Sequence, residues 1–135
     1  MHPKPKKSLG QNFLIDENII NLIVEVGDVK NNDIVIEVGP GTGNLTEKII
    51  LKKPKKLILI EKDKTLVEKL NSRFKENITL LNKDILKVEE EEFKNDKMIF
   101  FGNLPYNISS QLLVKWIRKH NLNSICKKMI LMFQK

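Results

Sequence analysis

The sequence predicts an α/β fold: one mostly parallel β-sheet with helices on both faces. Three observations carry this. Short apolar runs alternate along the chain with segments of helical period, the order that parallel βαβ units with right-handed crossovers require. The runs are apolar almost throughout rather than at every second position, as expected of strands covered on both faces. A cluster of glycines follows the first run directly, at the strand end where such sheets bring the backbone close to a ligand.

The elements follow in order. Ile19, Ile20, Ile23, Val24 and Val26 recur at helical spacing, which predicts a helix over Asp16 to Val26 with Asp16 as N-cap and Gly27 as stop. Residues 33–38, DIVIEV, form the first strand, and Leu45 to Lys52 the next helix. LILIE, 57–61, is a buried strand. Residues 63–75 are amphipathic and helical. ITLLN, 78–82, and MIFF, 98–101, are the third and fourth strands. Ser109 to Lys119 is a helix, and MILMF, 129–133, a fifth strand. The stretch NLPY, 103–106, has neither the glycine of a tight turn nor the look of a helix start. It reads as a rigid loop that presents polar atoms and one ring. The acidic run Glu89 to Glu92 reads as a solvated connection.

Composition narrows the function. The chain has 135 residues, 41% hydrophobic and 30% charged, enough for one core. No apolar run approaches the roughly 20 residues of a membrane span, and no apolar signal segment follows the basic start, so a cytoplasmic protein is expected. A single cysteine, Cys126, excludes an internal disulfide. His2, His120 and Cys126 lack ligand spacing, so no metal is expected. The net charge of +7, with lysine clusters at 4–7, 52–56 and 127–128, fits either a solvated lysine-rich surface or a polyanionic partner.

The strand ends carry the chemistry. After the first strand, Gly39, Gly41 and Gly43 form GxGxG. It is not the dinucleotide fingerprint, because Asn44 breaks that spacing, nor a phosphate-binding Walker loop. Glu61 ends the second strand, about twenty residues on, where an acidic side chain accepts hydrogen bonds from ribose hydroxyls. Asp84 follows the third strand, placed to accept a bond from an adenine amino group while Ile85 packs on the ring. Each alone has a bland reading: a turn, or a solvated carboxylate. Together they form an adenosine-reading set without a pyrophosphate cradle, which points to S-adenosylmethionine.

With NLPY at the fourth strand end, the chain resembles the rRNA adenine dimethyltransferases, in particular the small-subunit, kasugamycin-resistance type. The resemblance rests on KSLGQNFLID (7–16), IEVGPGTGNLT (36–46), IEKD (60–63), KDIL (83–86), FGNLPYNISS (101–110) and the closing MILMFQK. It implies a Rossmann-like class I S-adenosylmethionine-dependent methyltransferase fold. It also implies transfer of methyl groups to the exocyclic amine of adjacent adenosines in small-subunit rRNA, within the immature small ribosomal subunit. By the same resemblance Asn12 and Leu14 help close the cofactor site, and Gly39, Glu61, Asp84 and Asn103 line it. Asn103 and Leu104 offer acceptors to the target amine, Pro105 stiffens the loop and Tyr106 stacks on a flipped adenine. Lys4, Lys6 and Lys7 are expected to touch RNA phosphates.

Members of that family are about twice as long, and the full-length enzyme is expected to be a monomer. The expected organisation is therefore a basic, cofactor-closing segment over 1–15 and a partial catalytic domain over 16–135. The sheet would lack its later strands and the chain a helical RNA-binding domain. A sheet left open after its fifth strand is expected to be weakly stable and prone to pairing, and a chain of this length weakly active at best. Two other readings stay open. One is a large-subunit enzyme of the macrolide-resistance type, although GPGTG and NLPY favour the small-subunit type over GSGKG and NIPY. The other is an assembly factor that keeps the fold without turnover. A DNA adenine or protein glutamine methyltransferase would carry DPPY or NPPY, which Leu104 disfavours.

Overall fold

The computed structural model describes residues 16–88, 97–119 and 126–132. Four helices, α1 (Glu17–Gly27), α2 (Asn44–Leu51), α3 (Lys64–Phe74) and α4 (Tyr106–Lys119), alternate with five strands: β1 (Ile34–Val38), β2 (Lys56–Ile60), β3 (Thr79–Leu81), β4 (Met98–Asn103) and β5 (Cys126–Met132). All four strand pairings are parallel, in the order β3-β2-β1-β4-β5. The order reverses between β1 and β4, which sets the topological switch point there.

The sheet is apolar on both faces. On one side Val35, Leu59, Ile99 and Phe101 pack with α1, α2 and α3 residues such as Ile20, Ile49 and Leu70. On the other, Ile36, Ile60 and Phe100 pack with Leu112 of α4 and Ile85. The tight seat of α1 on β4 shows at Gly27, where a Cβ would lie 2.5 Å from the Phe101 ring.

Several boundaries differ from the sequence-based expectation: most ends shift by a residue, and β5 begins at Cys126 rather than Met129, its added residues pairing with Met98 and Ile99. Gly27 is the last residue of α1 rather than its stop; Asp28, at φ 48°, takes the left-handed cap. Strand β4 runs two residues beyond MIFF, because Gly102 and Asn103 continue the parallel register against Leu131 and Met132. Helix α4 begins at Tyr106 rather than Ser109, so NLPY does contain a helix start. The Pro105 carbonyl accepts from Ile108 and Ser109 at 3.0 and 3.1 Å, and proline's fixed φ suits the entry to a first turn. The caps at Asp16 and Asp63 form as side-chain acceptors for the first helical N–H groups. Residues 1–15, the Glu89 to Glu92 run, His120 and Phe133 lie outside the described residues.

Candidate active site

The C-terminal ends of β1, β2, β3 and β4 converge on one cavity of about 240 Å³. Its walls include Gly39 and Gly41 after β1, Glu61 after β2, Asp84 and Ile85 after β3, and Asn103, Leu104 and Pro105 at β4. Thus each strand end singled out in the sequence contributes to the same space. Val38, Ile60, Leu66 and Ile108 supply further apolar wall.

The glycine loop is held close against the β4 end. Gly39 has φ +69° and its N–H donates to the Ile60 carbonyl at 3.0 Å. A Cβ on Gly39 would lie 2.7 Å from the Asn103 carbonyl oxygen and 3.0 Å from Leu104 Cδ2. Glycine is therefore required twice over, for its backbone angle and for the contact between the loop and NLPY. Gly43 plays a different part. It packs under the Phe74 ring, where a Cβ would come within 2.5 Å, so it seats α2 on α3 instead of lining the cavity.

Glu61 is 8% exposed. The Asp63 N–H donates to its Oε2 at 2.9 Å, and the Gly41 and Lys62 N–H groups also donate to the carboxylate. Burial raises its pKa above the ordinary value, against the opposing pull of these donors. The carboxylate thereby ties the β2 end to the glycine loop. Asp84 is half-buried and caps a short 3-10 turn, Ile85–Lys87, by accepting from the Leu86 N–H at 3.0 Å. Ile85 is 4% exposed and belongs to the core under that wall.

Asn103 is 8% exposed, and among the described residues its side-chain amide has no hydrogen-bond partner. Tyr106, by contrast, is 63% exposed at the start of α4 and is not part of the cavity wall. The pair divides the β4 end into an inner polar residue and an outer aromatic one. Asn12 and Leu14 lie outside the described residues.

Several residues that shape the site are not evident from the linear sequence. Arg73 of α3 donates from Nη1 to the Thr42 carbonyl at 2.7 Å and pairs with Glu47, bracing the glycine loop from outside. Asn82 Nδ2 donates to the carbonyls of Glu61 and Lys62 at 2.9 and 3.1 Å. Lys115 of α4 donates to the Leu86 and Val88 carbonyls, locking the turn after Asp84 to the helix after NLPY. In the sequence Asn82 reads as the last residue of the third strand, with no sign of this role. The other two contacts join residues roughly thirty positions apart.

Comparison with known proteins identifies the family and the fold. The family model for ribosomal RNA adenine dimethylase matches residues 2–135. The chain belongs to this family. Among curated adenine dimethylase relatives, the ribosomal RNA small subunit methyltransferase A of Pelagibacter ubique is 50% identical over 135 residues, covering 100% of this chain and 51% of the relative. A solved dimethyladenosine transferase from Plasmodium falciparum superposes with a TM-score of 0.74 at 32% identity, over 89% of this chain and 42% of that one. The solved 23S rRNA methyltransferase ErmE gives 0.71 at 27% identity, over 86% and 46%. The fold is that of the class I methyltransferases, as the sequence implied. The chain spans about half the length of the curated relatives it matches.

Proposed function

We propose that this chain carries the cofactor site and reaction centre of a small-subunit rRNA adenine dimethyltransferase that uses S-adenosylmethionine. The observation that carries the reading is the close approach of the Gly39 turn to the Asn103 backbone and the Leu104 side chain. On this reading the glycine turn that would pass the cofactor lies next to the loop that would receive the amine. Identity of 50% to a small-subunit methyltransferase favours small-subunit over large-subunit RNA as substrate.

The residues fit the cofactor. Glu61 would accept from the ribose hydroxyls, Asp84 from the adenine amino group, and Ile85 would lie under the ring. Gly39 and Gly41 leave room for the amino-acid portion to pass close to the backbone. When bound, S-adenosylmethionine supplies an electrophilic methyl group on a sulfonium.

The chain's own part is to prepare the nucleophile. An adenine amine is weakly nucleophilic because its lone pair is delocalised into the ring, and attack requires the nitrogen to become more tetrahedral. The Asn103 side-chain oxygen and the Leu104 carbonyl would accept the two amine hydrogens and stabilise the positive charge that builds there. Pro105 has no N–H to compete for those acceptors. Tyr106 offers an exposed face to an adenine taken out of its stack. Alignment of amine and methyl supplies much of the remaining acceleration. The proton lost from the methylated amine leaves to water.

The test is transfer of labelled methyl from S-adenosylmethionine to undermethylated small ribosomal subunits, with large-subunit particles and Asn103→Ala as controls. Dimethyladenosine in small-subunit RNA, lost in the variant, is the expected result. Label confined to large-subunit RNA would transfer the assignment to the other branch. Cofactor binding with no transfer to either particle would favour a non-catalytic assembly role.

A further inference from the structure

Among the described residues, positive charge is not gathered where the reaction would take place. Among the described residues that wall the cavity, the carboxylates of Glu61, Asp63 and Asp84 outnumber the ammonium groups of Lys62 and Lys83. Yet the chain carries a net +7. Much of that excess lies at the other end of the sheet, in the turn from α2 into β2. There Lys52, Lys53, Lys55 and Lys56 surround Pro54 with no acidic neighbour in the turn.

All four lysines are exposed, and among the described residues none has an ion-pair or hydrogen-bond partner for its side chain. Lysines nearby are used differently. Lys127 pairs with the buried Asp33 at 3.0 Å, and Lys128 donates to the Val26 and Gly27 carbonyls at the end of α1. The backbone beneath the turn is firm. Lys52 and Lys53 donate their N–H groups to Ile49 and Ile50, Lys53 holds a left-handed φ of 53°, and the Lys55 N–H donates to the Asp33 carbonyl at 2.8 Å. The turn thus presents a fixed cluster of unpaired cations.

We propose that the Lys52–Lys56 turn is a second RNA-binding surface, taking the sugar–phosphate backbone of a structured RNA at the end of the sheet opposite the candidate active site. The proposal rests on the reading of RNA as substrate. Along strand β2, Lys56 at the end of the turn lies five residues before Glu61, about 16 Å at the usual rise. That exceeds the Debye length of about 8 Å at physiological salt, so phosphates at the cavity mouth are largely screened from the turn. A separate stretch of RNA must meet it. Recognition would then favour a folded particle, able to reach both ends of the sheet, over a short isolated hairpin.

The test measures binding of the chain to a labelled structured fragment of small-subunit rRNA across a salt series. Lys52/Lys53/Lys55→Gln is compared with an equally charged control, Lys64/Lys69/Lys87→Gln, also at exposed positions. Each phosphate contact contributes about 0.7–0.9 to the salt slope. The turn variant is expected to lose about 2–3 from the slope and on the order of 10–100-fold in affinity, the control far less. Equal losses in both variants, no loss in the turn variant, or no RNA binding by the unaltered chain would each overturn the proposal. So would equally tight binding to phosphatidylserine vesicles with the same variant loss, which would mark a general anion surface. S-adenosylmethionine binding by calorimetry separates the two readings. Heat retained in the turn variant shows an intact fold, whereas no heat in the unaltered chain counts against the methyltransferase reading alone.

Discussion

Glu37 sits at the centre of β1, fully buried, two residues before the glycine turn. Its Oε1 accepts from the Thr46 hydroxyl, while Oε2 has no partner among the described residues. Burial pushes its pKa from the ordinary 4.5 up to about 7. Because the folded state holds this proton more tightly than the unfolded chain, the stabilisation is fully present below 4.5 and is lost as pH rises through about 7. The contribution is on the order of 3 kcal/mol. Urea unfolding across that window should therefore show stability falling with pH, and Glu37→Gln should flatten the fall. A second prediction belongs to Gly39. Gly39→Ala must accommodate both a positive φ and a Cβ 2.7 Å from the Asn103 carbonyl. A loss of about 1–3 kcal/mol in stability and near-complete loss of methyl transfer are expected, measured by denaturation and label incorporation.

At the scale of elements, the site is a set of strand ends held in register by side chains from the helices that follow them. Lys115 is the clearest case, since it fastens α4 to the turn carrying Asp84 and Ile85. Lys115→Met keeps the aliphatic stem and removes both bonds. We expect a cost of about 1.5–3 kcal/mol and affinity for S-adenosylmethionine, the proposed cofactor, lowered several-fold in calorimetry. Unchanged affinity would show that the turn holds itself. The strands were legible in the sequence because burial on both faces makes them continuous apolar runs. The carboxylates after β2 and β3 were legible because parallel sheets place functional groups there. The extension of β4 to Asn103 was not, since Gly102 and Asn103 have weak strand preference and are kept extended by pairing with β5. The start of α4 was hidden for a related reason: the residue before a proline is disfavoured in helices, but the residue after it is not. Arg73 and Lys115 left no signature, because a surface cation in an amphipathic helix looks the same whether or not a distant carbonyl lies within reach.

For the whole molecule, β5 is an edge strand of the described sheet, paired with β4 alone and only partly buried over Cys126–Leu131. Unpaired strand edges recruit other edges. The purified chain is expected to associate with rising concentration in sedimentation velocity, and a sample that stays monomeric throughout would contradict this. Lys127 and Lys128 at the head of β5 are the kind of charge that limits such pairing without abolishing it.

The strand order has one more consequence, in time rather than space. Strands β1, β2 and β3 are joined by short crossovers and lie next to one another, so their contacts are comparatively local. The pairing of β1 with β4 joins Val35 to Ile99 across more than sixty residues of chain. Local contacts form quickly and non-local ones slowly, and a growing chain folds from its N-terminal side. The wall bearing Glu61 is therefore expected to organise before the Asn103 loop is laid against Gly39. On the proposed reading, the nascent protein would gain a place for an adenosyl group before it gained the means to activate an amine.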